Sequence, residues 1–285
     1  MAPTMIEGIK KKLRYNEFPQ PVYLATRYPV LLCHGFGSLA NAIQPSLLHR
    51  VCMLYRSHCI TAFAPTIAPY AGIETRAGAW IESCDLILEA TGSEKINLVA
   101  HSMGGLDMRH AITRMGLHNR VASLTTVATP HRGTSLAELA LNTPEKMKDY
   151  FIDILDWLGD ISYPDIKSDA QGALKQLTRE YVLNTFNPET PDHPDVRYFS
   201  VSTSCGKGTS HDINKLLYYF NSYIHENEGI NDGYVGAESA VWGEHLFRSK
   251  LNHIEQIKIN LPKKHEQDWE DLWLGVIKNL IENKL

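Results

Sequence analysis

"INLVAHSMGGL", residues 96–106, joins an apolar, β-branched run to a histidine, a serine and two glycines with no spacer between them. Ile96 to Ala100 reads as a strand covered on both faces, because an apolar run bounded by turn formers suits the centre of a parallel sheet. Burial alone does not call for His101-Ser102-Met103-Gly104-Gly105. The pattern after it predicts a helix over 104–115, so the serine stands where a strand passes into a helix. A tight, strained turn at such a junction lifts the serine hydroxyl above the sheet. Small flanking residues are needed because the chain reverses too sharply for bulk, and in the pattern G-x-S-x-G the first glycine is here Ala100. A plain serine N-cap ahead of a glycine-rich helix start is the competing reading.

Outward from this junction, "YPVLLCHG" (28–35) reads as a strand entering a glycine turn and "CITAFAP" (59–65) as another strand. Between them and the serine, residues 72–92 carry Ala77, Trp80, Ile81, Cys84, Ile87 and Leu88 at helical spacing and stop at Gly92. Val121 to Thr126 is again strand-like. Strands alternating with helices predict an α/β fold, a mostly parallel sheet with helices on both faces. From Asn142 to Pro194 the alternation lapses, and "DYFIDILDWLGDI" (149–161) sets Phe151, Ile154, Leu155 and Leu158 on one helical stripe. It resumes with "VRYFSVST" (196–203), and the chain closes on a helical pattern over 269–285. With no internal repeat and no low-complexity linker, residues 1–285 read as one domain with an insertion at 142–194. At 285 residues such a domain buries about three quarters of its unfolded surface, ample for a core.

With 28 basic against 32 acidic residues, the chain lacks the positive footprint of a nucleic-acid binder. No stretch approaches the roughly 18 apolar residues of a membrane span. The basic cluster near the N-terminus is not followed by the apolar run of a signal peptide. The expected compartment is therefore the cytoplasm if the chain is full length, and the exterior if an export signal has been trimmed. Cys33, Cys52, Cys59, Cys84 and Cys205 contain no CxxC pair, which argues against zinc ligation and a dense disulfide framework and leaves room for one bridge, Cys52 to Cys59.

A serine hydroxyl is a poor nucleophile near neutral pH; it needs a histidine base and a carboxylate that orients that base. In strand-turn-helix serine enzymes the partners follow in the order Ser, Asp, His. Asp232 in "GINDGYVG" (229–236) and His253 in "LNHIEQ" (251–256) fit that order, in connections expected after the last strands. His211 and Asp212 come too early, His245 is the nearest rival base, and His225 and His265 read as surface residues. Donors for a developing oxyanion should come from the N–H of Met103 and from the loop "HGFG" (34–37), with Phe36 the donor and His34 ordering the loop. "GFGSLA" (35–40) also matches a dinucleotide fingerprint, but the second strand ends "FAPTIAP" without the acidic residue that would bind a ribose.

With HGFG, AHSMGG, "VATPHRGTS" (127–135), NDGYVG and NHIEQ in this order, the chain resembles the bacterial true lipases of the α/β-hydrolase superfamily, typified by the Pseudomonas and Burkholderia triacylglycerol lipases. The likeness covers about 28–40, 95–136 and 229–256. It implies Ser102, Asp232 and His253 as the catalytic triad, Phe36 and Met103 as the oxyanion hole, and a structural role for His131. It gives the insertion the role of a helical lid that exposes Phe151, Ile154, Leu155, Trp157 and Leu158 at a lipid–water interface. The implied substrate is a lipid ester, triacylglycerol first, with short-chain carboxylesterase, phospholipase A or acyltransferase activity as alternatives and a non-catalytic lipid-binding homologue as the remote one. The chemistry needs no cofactor. The resemblance adds a structural calcium near the histidine loop, for which Asp212 and Glu255 are the candidates, and a disulfide that this chain lacks, since Glu238 stands where one cysteine is expected. Nothing in the sequence fixes an oligomeric state.

Overall fold

The computed structural model describes residues 24–37, 46–144, 168–259 and 261–285. Six strands, β1 (Val30–Cys33), β2 (Ala62–Phe63), β3 (Ile96–His101), β4 (Val121–Val127), β5 (Arg197–Thr203) and β6 (Glu244–Ser249), form one sheet in the order β2-β1-β3-β4-β5-β6. Every pairing is parallel. The three central strands β1, β3 and β4 are buried along their whole length, which is why they read as continuous apolar runs rather than alternating ones.

Helices α1 (His49–Ser57), α2 (Ile73–Thr91), α3 (Gly104–Arg114), α4 (Ser135–Leu141), α5 (Ala170–Lys175), α6 (Tyr218–Glu228) and α7 (Glu266–Glu282) complete the frame. The period of two along β1 distributes its side chains between two cores. Val30 and Leu32 join Val51 and Tyr55 of α1 and Trp269, Trp273 and Val276 of α7, whereas Leu31 and Cys33 join Trp80 and Cys84 of α2 and Met108 and Ile112 of α3. Each fully buried large apolar side chain contributes roughly 1.5–3 kcal/mol. Helix α2 ends where expected, with Gly92 as a left-handed cap at φ 64°.

Three expectations need correction. Strand β2 shrinks to two residues, because it lies at the sheet's edge with a single neighbour. Strand β6, at the other edge, was not foreseen; its sequence EHLFRS is largely exposed and has no apolar run to betray it. Asp232 therefore precedes the last strand instead of following it. Cys52 and Cys59 are both free thiols, and the Cys52 thiol donates to the Ala62 carbonyl at 3.4 Å.

A third cluster lies above Ser102. Met103 and Leu106 meet Ile73, Ala137, Ala173, Leu177, Val182 and Phe186, so the described flanks of the 142–194 segment pack on the helix that follows the serine. Residues 179–189 form a helical stretch with a π turn at Val182–Phe186. Arg109 of α3 ties it down, donating to Asn187 Oδ1 at 2.8 Å and to the Thr190 carbonyl at 3.0 Å, with its guanidinium 3.6 Å above the Trp242 ring. The stripe Phe151, Ile154, Leu155, Trp157 and Leu158 lies outside the described residues. Among the described residues no helix is long and apolar enough to cross a membrane.

Candidate active site

Ser102 sits between the end of β3 and the start of α3 with φ at 56°, a left-handed conformation that costs a non-glycine residue of order 1 kcal/mol. Its backbone holds it there. The N–H of Ser102 donates to the Val127 carbonyl at 2.9 Å, and its carbonyl accepts the Thr129 hydroxyl at 2.7 Å. The turn is closely packed: a Cβ on Gly104 would come within 2.7 Å of the Cys33 carbonyl oxygen, and one on Gly35 within 2.6 Å of Ser102 Cβ and 2.9 Å of Met103 N. Glycine is thus required where the 34–37 loop passes the serine.

His253 Nε2 lies 3.0 Å from Ser102 Oγ, and its Nδ1–H donates to Asp232 Oδ2 at 2.8 Å. Asp232 is fully buried and saturated with donors. Oδ2 also accepts from Thr203 Oγ1 and Gln256 Nε2, while Oδ1 accepts the N–H groups of Tyr234 and Val235. Burial alone would raise this carboxyl, but His253 and the surrounding hydrogen bonds outweigh it and hold the group below its ordinary range. It stays ionised and fixes the histidine tautomer.

Two further buried histidines near this site stay neutral. His101, ring centroid 4.7 Å from that of His253, donates from Nε2 to Gln256 Oε1 at 2.9 Å. Burial first, and the neighbouring His253 second, push it down to about 3. His34 accepts the Ile67 N–H and contacts the Gly35 carbonyl, and burial, reinforced by Arg76, likewise takes it to about 3.

Phe36 and Met103 are the residues expected on the oxyanion side, and Gly35 between them and the serine is closely packed against Ser102 Cβ and Met103 N. Neither the Phe36 nor the Met103 N–H has a partner among the described residues. Beneath them Arg76 donates to the His34 carbonyl at 2.7 Å and to Asp107 Oδ2 at 2.9 Å, joining the 34–37 loop to α3. Burial raises the Asp107 carboxyl to about 6, partly opposed by Arg76.

A family model described as alpha/beta hydrolase fold matches residues 28–159. Triacylglycerol lipase 2 of Saccharomyces cerevisiae is 33% identical over 294 residues, an alignment that takes in 87% of this chain and 84% of the yeast protein. The chain belongs to the lipase family of α/β-hydrolases. A triacylglycerol lipase of Burkholderia plantarii is 29% identical over 183 residues, 59% of this chain and 49% of that protein. In three dimensions a metagenomic carboxyl esterase superposes with a TM-score of 0.72 at 20% identity, over 93% of this chain and 79% of that one, which reports the fold alone. The protein is an ester hydrolase.

Within this lipase the remaining candidates fall into place. His245, the rival base, sits on β6 and bonds Ser202 Oγ at 2.9 Å, and His211 and Asp212 are exposed. His131 is buried between Thr126 and Arg109 and stacks on Trp242; burial and then Arg109 hold it well below 6.5, leaving it neutral. The candidate calcium ligands are each engaged by protein groups. Asp212 is 94% exposed and faces Lys264 at 3.9 Å, whereas both oxygens of buried Glu255 already accept, from Asn252 N–H and His265 Nδ1, each at 3.1 Å. Among the described residues no group of three or more His, Cys, Asp or Glu could hold a metal ion. The sequence reading overlooked Gln256, Thr203 and Arg76. Only Gln256 had a local signal, its place three residues after His253.

Proposed function

We propose that this lipase hydrolyses triacylglycerol and related lipid esters through an acyl-enzyme on Ser102, with His253 as base and Asp232 as its orienting carboxylate. The observation that carries the reading is the chain of contacts from Ser102 Oγ to His253 Nε2 at 3.0 Å and from His253 Nδ1 to Asp232 at 2.8 Å. Ser102 Oγ attacks the ester carbonyl carbon while its proton passes to His253 Nε2. The carbonyl π electrons move to oxygen, where the N–H groups of Phe36 and Met103 receive the negative charge. Collapse of the tetrahedral intermediate breaks the bond to the alcohol, which leaves with the proton from His253. A water molecule then gives a proton to His253 and attacks the acyl carbon, and the fatty acid departs as serine recovers its hydrogen. Imidazolium forms twice, each time against ionised Asp232.

The substrate class rests on the family and on the names of its relatives, among them triacylglycerol lipases of yeast and bacteria. The test compares initial rates on soluble short-chain esters and on emulsified long-chain triacylglycerol, with Ser102→Ala as blank. Ser102→Ala should lower kcat by roughly 10⁴ to 10⁶. Retention of a tenth of the wild-type rate overturns the nucleophile. A rate confined to soluble short esters overturns the triacylglycerol substrate and makes the protein a carboxylesterase.

A further inference from the structure

Where the resemblance would put a bound cation, the turn Lys263–His265 supplies protein groups instead: His265 to Glu255 and Lys264 to Asp212. We infer that the Glu255–His265 pair is the latch that holds the His253 loop, and that the loop needs no metal ion. This rests on the reading of His253 as the base. The loop Asn252–Gln256 closes on itself: Asn252 Oδ1 accepts the N–H groups of Ile254 and Glu255 at 3.2 and 3.0 Å, and Glu255 Oε2 returns the bond to Asn252 N–H at 3.1 Å. His253 lies inside this ring, its own N–H on the Asp232 carbonyl at 3.0 Å.

The ring is fastened to α7 at two points. Glu255 Oε1 accepts from His265, which stands at the N-cap position of the helix, and the Gln256 carbonyl accepts the indole N–H of both Trp269 and Trp273, each at 2.9 Å. A cation on Glu255 would have to share a buried carboxylate with two donors already placed on it, the Asn252 N–H and the His265 imidazole. Glu255 and His265 touch no reacting atom. They are positioning residues, acting through the imidazole.

The experiment measures the rate at which a fluorophosphonate labels Ser102, kcat and KM on a soluble short-chain ester, and Tm, each in EDTA and in calcium chloride. Wild type should label at one rate and melt at one temperature in both solutions. Glu255→Ala and His265→Ala should slow labelling and kcat about 10- to 100-fold with KM unchanged, because a small displacement of a base is costly. Glu255→Gln keeps one acceptor oxygen and should fall between. Lys264→Ala, at an exposed ion pair, should leave all values unchanged. If Glu255→Ala does not fold, the partly exposed His265 carries the test. A Tm or labelling rate that falls in EDTA and returns with calcium overturns the inference, as do His265→Ala and Glu255→Gln at wild-type rate. Failure of wild type to label at all overturns the proposed nucleophile instead.

Discussion

Acidification should unfold this hydrolase through histidines that cannot accept a proton, and His101 isolates the effect. The ring is buried and held at about 3 in the native state against 6.5 in the unfolded chain. A depressed histidine means that the unfolded state binds the extra proton, so stability is fully present above pH 6.5 and is lost as pH falls below it. Between pH 7 and pH 5 that linkage removes about 2 kcal/mol for His101. His34, with the same direction and value, removes about as much again. Asp107 works the other way: its carboxyl is raised to about 6, so taking up a proton favours the native state and returns about 1 kcal/mol over the same interval. Asp107 thus offsets part of the histidine loss, to which the buried neutral ring of His131 adds in the same direction. Urea unfolding at pH 7 and pH 5, on wild type and on His101→Gln, separates the terms, because the substitution's own cost at pH 7 cancels from the comparison. Wild type should lose about 2 kcal/mol more than the variant. Equal losses, within the roughly 0.5 kcal/mol to which such comparisons are additive, refute the assignment of His101 as a buried neutral ring.

Two more substitutions probe the site's frame. Gly35→Ala places a methyl within 2.6 Å of Ser102 Cβ and 2.9 Å of Met103 N, so it should push the loop away and lower kcat about 10- to 1,000-fold at unchanged circular dichroism; wild-type turnover would show that the loop yields freely. Arg76→Met leaves Asp107 buried without its ion partner and should cost about 3–5 kcal/mol, with much of that recovered in Arg76→Met/Asp107→Leu, as measured by urea midpoints.

The parts of this molecule that were legible in the sequence are those whose physics is local. A buried central strand announces itself as an apolar run, and the junction at Ser102 announces itself because the left-handed turn admits only small neighbours. The 34–37 loop was legible for the same reason, since Gly35 must let the serine's backbone pass. Strand β6 was hidden because an edge strand with one partner and an exposed face needs no apolar pattern. Contacts made across the fold were equally hidden: Arg76 reaches Asp107 from another helix, and Thr203 and Gln256 meet at Asp232 from the end of β5 and from the His253 loop. Glu255 illustrates the limit well. Its position two residues after the histidine suggested a metal ligand by resemblance, whereas its hydrogen-bond partners, one of them ten residues further on, give its carboxylate other work.

The separation of Ser102 from His253 by 151 residues also orders events during synthesis. At about 5–20 residues per second, the nucleophile leaves the ribosome roughly 8–30 s before its base does. The base then still awaits the α7 indoles that grip the Gln256 carbonyl. Through that interval the nascent chain carries an exposed serine with no partner to activate it, and esterolytic power arrives only when the C-terminal helix docks.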